Sequence, residues 1–328
     1  LEPPRAGAED EAARAALEYA KADLNGTLLR ISTDITSEYL TLRGNQRQLE
    51  LLDESITLQE KTLSIVRTRF ETGLAPELDM QRAIRSVENL RASRAPLKED
   101  LQNNRNLLAT LTGEFPGIFE ESLQDKSTIP TYSDTIPSTL PLSILKSRPD
   151  ILQAEANLKE AVALIGVAEA DFYPSLSLAG DIGIGLTGLD GSSATEMVVA
   201  AISALINQTI TDGGARTARR DAAVAQAQEQ LAVYEQILRD AVREVETTLA
   251  AIRSSLESQT SLEKVVKASQ RSFHQAEILY QQGLISFLDV VDAQRSLADA
   301  EQSLARARTN YAVQIARLFE VFGTKVEK

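Results

Sequence analysis

Apolar residues recur at every seventh position along two long stretches of the chain. In the first stretch these are Leu28, Ile35, Leu42, Leu49, Ile56, Leu63 and Phe70. In the second they are Leu238, Val245, Ile252, Val266, Phe273 and Tyr280, with Gln259 as the one polar interruption. A seven-residue repeat sustained this far predicts long helices in left-handed coiled-coil contact. The spacing resumes after a glycine in each stretch, through Met80, Val87, Leu101 and Leu108 in one, where Arg94 breaks the row. In the other it runs through Val290, Leu297, Leu304, Tyr311 and Leu318. Each stretch therefore reads as a helix of roughly 65 residues, a tight turn and a returning helix of roughly 35. At 1.5 Å per residue the long helix would reach about 100 Å. Pro96 is expected to kink the first returning helix.

The two stretches are copies of one another. Gly73 and Gly283 lie 210 positions apart, and the same offset pairs Leu74 with Leu284, Leu78 with Leu288, Asp79 with Asp289 and Gly113 with Gly323. Two repeats of about 110 residues are the simplest reading, a period too long for a solenoid. The boundaries predicted are 1-113 for repeat one, 114-147 for a Pro-rich irregular connector, 148-323 for repeat two and 324-328 for a tail. Within repeat two, the chain reads as helix 148-171, β-hairpin 172-211, long helix 212-282, a tip turn near 283 and return helix 286-322. Ser147 with Asp150 three residues on suits a capping box at the first of these helices.

The hairpin is the one place where the period changes to two. Leu176, Leu178, Ile182, Ile184 and Leu186 fall on one face, and Ser175, Ser177, Ala179, Asp181, Gly183 and Gly185 on the other. A sheet in a water-soluble protein would bury the apolar face beneath a helix. A transmembrane barrel strand shows the same alternation over about 9 to 11 residues, apolar to lipid. No spare amphipathic helix is available as a cover, which favours the second alternative.

Composition narrows the choice of function. Of 328 residues 43% are hydrophobic, aromatics are 5%, and there is no Trp or Cys. The absence of Cys excludes thiol chemistry and disulfides, and the single His274 leaves no basis for a His-rich metal site or a Ser-His-Asp triad. His274 itself suits a solvated or groove-facing helix position. A net charge of -13 gives no field that would attract nucleic acid. The most apolar run, 197-206, is about half the roughly 20 residues a membrane-spanning helix needs. Neither a cofactor nor enzymatic activity is expected.

Four motifs together resemble the TolC-like outer membrane efflux proteins, in the OprM and NodT branch. They are SRPDI at 147-151, AEADFYPSLSLAGDIG at 168-183, TDGGARTARRDAA at 211-223, and the paired turns GLAPELD at 73 and GLISFLD at 283. The resemblance implies a mainly helical trimer with coiled-coil hairpins in two structural repeats. Its helices would form a periplasmic α-barrel tunnel, and its strands a shared β-barrel in the lipid of the outer membrane. It implies an efflux or export conduit in a Gram-negative bacterium, docked by a periplasmic adaptor and served by an inner-membrane pump. Repeat one begins with EPPRAGAEDEAARAA, equivalent to DGGARTARRDAAVA before the second long helix. The family's first helix, first hairpin and any lipid-bearing Cys do not precede it, so the chain reads as N-terminally truncated. An unclosed hairpin would leave backbone groups unpaired in lipid.

By the same resemblance, Asp289 and Asp292 match the constricting carboxylates of the tunnel gate, and Asp79 and Tyr280 match other members of its network. Three chains would bring six carboxylates around one opening, a ring that favours cations. The family's paired arginine of this turn falls at Ile285, which is apolar here. Helix capping is the competing reading for Asp289, since Ser286 precedes it by three, and a carboxylate at a helix start gains about 0.3 to 1 kcal/mol. Gly73, Leu74, Gly283 and Leu284 match the turns that meet the adaptor, with simple turn packing as the alternative. A periplasmic coiled-coil adaptor or tether remains a second reading of the whole chain, and it requires a buried hairpin.

Overall fold

The computed structural model describes residues 4–124, 128–130, 132, 146–187 and 195–323. Its elements in chain order are α1 (Pro4–Glu71), α2 (Glu77–Ala92), α3 (Arg94–Leu111), α4 (Pro149–Ala170), β1 (Ser175–Thr187), β2 (Thr195–Asn207), α5 (Ala215–Gln281) and α6 (Phe287–Val321). Among the described residues the fold is mainly helical with one small antiparallel sheet. Most of the connector expected at 114-147, the loop at 188–194, and the tail at 324-328 lie outside the described residues.

Two compact units divide the chain: Leu1–Leu24 with Pro149–Arg239, and Asn25–Arg148 with Asp240–Lys328. In the second, the heptad rows form the core, because a row seven residues apart drifts only slowly around a helix and keeps facing one neighbour. Val245 and Ile252 of α5 are buried with Ile315, Leu318 and Val321 of α6, and Leu42 of α1 is buried with Leu101 and Leu108 of α3. Along the later half of α1 the best buried row is Leu52, Gln59 and Val66. That row lies three positions on from Leu49, Ile56 and Leu63, which are only half-buried. Both rows belong to one seam, as the a and d positions of a heptad.

The first returning helix does break. α2 ends at Ala92, Ser93 donates its N–H to Asn89 O (3.1 Å), and α3 starts at Arg94. Pro96 has no N–H to give to the Ala92 carbonyl and its ring crowds that oxygen, so the discontinuity falls four residues before the proline.

In the first unit, α4 begins with Pro149, whose missing N–H costs nothing at a first helical position. The residue before the helix is thus Arg148 rather than the expected Ser147. Asp150 accepts the Ile151 N–H (2.9 Å). Small residues line this unit's helix contacts, among them Ala15, Ala22, Ala154 and Ala161, all buried. Gly166 approaches so closely that a β-carbon there would lie 3.2 Å from Ala8 Cβ. Ion pairs Lys159–Glu18 (3.1 Å) and Arg5–Asp171 (2.9 Å) flank these contacts.

β1 and β2 are 13 residues each and pair antiparallel, longer than the ten or so that the alternation predicts. The register sets Leu176 against Ile206, Leu178 against Ala204 and Gly180 against Ile202, so one face carries the apolar residues of both strands. Ile184 and Leu186 belong to β1 by their backbone. The opposite face is less polar than β1 alone suggests, since Leu205 stands across from Ser177.

Candidate functional site

Both long helices end in the same turn, built by the same backbone bonds. Gly73 and Gly283 have φ of 73° and 76°, a left-handed conformation that favours glycine. Across the first turn Gly73 N–H donates to Phe70 O (3.0 Å) and Leu74 N–H to Arg69 O (2.7 Å). Across the second, Gly283 N–H donates to Tyr280 O (2.9 Å) and Leu284 N–H to Leu279 O (2.9 Å). These bonds use up carbonyls that a helix end otherwise leaves unpaired. Among the described residues no side chain crowds Gly73, so its backbone angle, not space, demands glycine there.

The turns present matching apolar groups. Leu74 and Leu284 are each 68% exposed, and Leu78 and Leu288 each 56%. Beneath them, Val66 and Ala83 of the first repeat share one core with Phe273, Tyr280, Phe287 and Val290 of the second. Tyr280 packs against Phe287 at 5.8 Å between ring centroids. Its hydroxyl is buried without a partner among the described residues. Burial pushes its pKa up, the neighbouring Arg69 opposes this, and Asp79 adds to it.

The carboxylates divide by environment. Asp289 is exposed, yet it accepts the Ser286 backbone N–H (2.9 Å) and hydroxyl (2.7 Å), which closes the start of α6. Those bonds, the hydroxyl's first, hold its pKa below the usual carboxylate value. The capping reading of Asp289 is thus realised in the geometry. Asp292, one turn further, is exposed and has no ion-pair or hydrogen-bond partner among the described residues. Asp79 is half-buried and lies 3.6 Å from Arg82. His274 is exposed on α5.

Two residues at this site went unnoticed in the sequence. The 210-residue offset pairs Arg82 with Asp292 and Arg69 with Leu279, so the repeats differ in charge where they otherwise agree. The first turn pairs its aspartate internally, whereas the second leaves two carboxylates without a cation among the described residues. Arg69 reaches across to the second repeat, with Nη1 2.8 Å from Tyr280 O and its guanidinium 4.7 Å from the Tyr280 ring centroid. Looking for the positions where the repeats disagree would have found both.

Away from the turns, Leu176, Leu178, Ile182, Ile202 and Ile206 of the hairpin are 70 to 83% exposed. No helix among the described residues is long and apolar enough to cross a membrane, which does not bear on strands. No group of three or more His, Cys, Asp and Glu among the described residues is placed to hold a metal ion.

Among the described residues, long paired helices closed by glycine turns, with one apolar-faced hairpin left exposed, define a mainly helical class of protein that carries a small sheet. The family model for the outer membrane efflux protein matches residues 5–114 and 140–324, and the chain belongs to that family. It is 30% identical over 318 residues to nodulation protein T of Rhizobium leguminosarum bv. trifolii, covering 96% of this chain and 67% of that protein. To the cation efflux system protein CusC of Escherichia coli it is 30% identical over 284 residues, 86% of this chain and 61% of that one. To the toluene efflux pump outer membrane protein TtgC of Pseudomonas putida it is 29% identical over 297 residues, 90% and 61%. The chain thus spans between 61% and 67% of the length of these relatives. Among solved structures, the outer-membrane channel OprN superposes with a TM-score of 0.88 at 29% identity, covering 97% of this chain and 72% of that one. CusC superposes with a TM-score of 0.88 at 26% identity, covering 98% and 74%.

Proposed function

We propose that this chain supplies the tunnel helices and one barrel hairpin of an outer membrane efflux channel, a passive conduit for small molecules with no catalytic step. Three protomers close the tunnel and share the barrel. An adaptor in the periplasm and a pump in the inner membrane complete the assembly, and the pump supplies the energy. The observation that carries this reading is the uncovered hairpin in a chain of this family. Among the described side chains of the two 13-residue strands, five large apolar ones on one face stand open, the pattern of a lipid-facing strand pair and the reverse of what a soluble tether requires.

The second glycine turn is the proposed gate. Asp292 has no neutralising partner among the described residues, and Asp289 is fixed beside it by its own cap, so three copies would set six carboxylates around a narrow opening. Asp79 and Tyr280 support that turn from the first repeat and from the end of α5. Gly73, Leu74, Gly283 and Leu284 are the proposed contacts for the adaptor, because both turns expose the same apolar pair.

Single-channel recording of the full-length gene product in a planar bilayer tests the reading. The expected current is small and cation-preferring, and it grows when Asp289 and Asp292 are changed to Ala. A well-folded protein that ignores lipid and passes no current would return the chain to the tether reading.

A further inference from the structure

We infer that Arg69 is a positioning residue that ties the second glycine turn to the first within one protomer. Its backbone and its side chain serve different turns. The Arg69 carbonyl accepts the N–H of Leu74 (2.7 Å) and of Ala75 (3.1 Å), closing its own turn. Its guanidinium crosses to the other repeat, where Nη1 donates to Tyr280 O (2.8 Å) and lies 3.5 Å from Gln281 O. Tyr280 O already accepts the Gly283 N–H, so the arginine fills the second lone pair of the carbonyl around which the turn is built.

Three further features make this a built contact. The cation sits at the C-terminal end of α5, where unpaired carbonyls concentrate negative partial charge. Its planar group lies over the buried Tyr280 ring, a contact stronger away from water. Nη2 lies 3.8 Å from where a β-carbon on Gly283 would stand, so the side chain follows the turn to its glycine. The second repeat has Leu279 at the matching position, which can return no such bond. Among the described residues the tie is therefore made from one side, by the α1 side chain to the turn that carries Asp289 and Asp292. In consequence, moving that turn away from the first repeat breaks a charge-assisted hydrogen bond and a ring contact together. Its effect on current rests on the gate proposed above, whereas the contact itself does not.

The test uses the full-length channel with Arg69→Met and Arg69→Lys. In Arg69→Met, amide exchange at Gly283 and Leu284 should quicken by about tenfold or more, the scale of one lost hydrogen bond to a charged donor. Exchange at Leu74 should hold, because the Arg69 backbone is untouched. Current should rise with cation preference unchanged, since both aspartates remain. Arg69→Lys keeps the charge but not the planar fork, and should fall between. Unchanged exchange at Gly283 and Leu284 in Arg69→Met overturns the coupling. Quickened exchange with unchanged current overturns its role in the gate if Asp292→Ala still raises the current. Should Asp292→Ala also leave the current as it was, the gate itself is what fails.

Discussion

Gly44 of α1 faces Thr309 of α6 so closely that a β-carbon at residue 44 would collide with the threonine side chain. Thr309 is buried and its hydroxyl is turned to Ala305 O (3.0 Å), so it has little freedom to withdraw. Gly44→Ala is expected to destabilise the protein by about 1 to 3 kcal/mol through overpacking. Urea denaturation followed by helical circular dichroism measures it. Adding Thr309→Ala should restore part of the loss, and no restoration would place the cost elsewhere than this contact.

Asp289 carries a pH dependence whose sign follows from its bonds. Its carboxyl is more acidic folded than unfolded, so its contribution to stability is fully present above the ordinary aspartate pKa. That contribution is lost as pH falls through the lower folded value. The start of α6 should therefore fray below about pH 4, the usual aspartate value, and Asp289→Ala should remove that dependence. Amide exchange of residues 287 to 291 against pH reads it. Asp289→Asn keeps an acceptor for the Ser286 N–H while removing the charge. A larger current in that variant without fraying would separate a gating charge from a cap.

Ile182 is 83% exposed near the middle of β1, whereas Asp181 beside it faces the other way across the sheet. If the apolar face meets lipid, Ile182→Lys should cost about 2 to 4 kcal/mol in membrane insertion. Asp181→Lys should be tolerated. Equal recovery of both variants in the outer membrane fraction of cells expressing the full-length protein would count against a lipid-facing strand.

Leu74 and Leu284 are equally exposed at matching turns, so the adaptor contact is expected to use both. Leu74→Ser and Leu284→Ser should each weaken cross-linking to the cognate adaptor, by about 1.5 kcal/mol or more for a buried leucine. Thermal stability should barely change, because surface substitutions usually stay within about 0.5 kcal/mol. Intact cross-linking in the double variant would leave these residues as turn packing only.

The heptad rows, the glycine turns and the alternation from Leu176 are periodic features, and each was legible because a period of seven or two maps directly onto one face of an element. The same holds for the break before Pro96, which follows from one missing N–H. The capping of Asp289 was legible as an alternative, because a cap depends on residues three apart. What the sequence by itself determined is therefore local: which residues form long helices, where they turn and which face of each is apolar.

Tertiary structure decided the rest. Which of two neighbouring rows on α1 is buried, Leu49, Ile56 and Leu63 or Leu52, Gln59 and Val66, depends on the angle at which other helices approach, which no single helix encodes. Gly44 is required by Thr309 of another helix, a neighbour that no local pattern around residue 44 encodes. The partner of the Arg69 side chain, Tyr280 O, is 211 residues away in sequence. Such contacts arise where two repeats meet, and a long flexible side chain finds its carbonyl only after both helices have been placed.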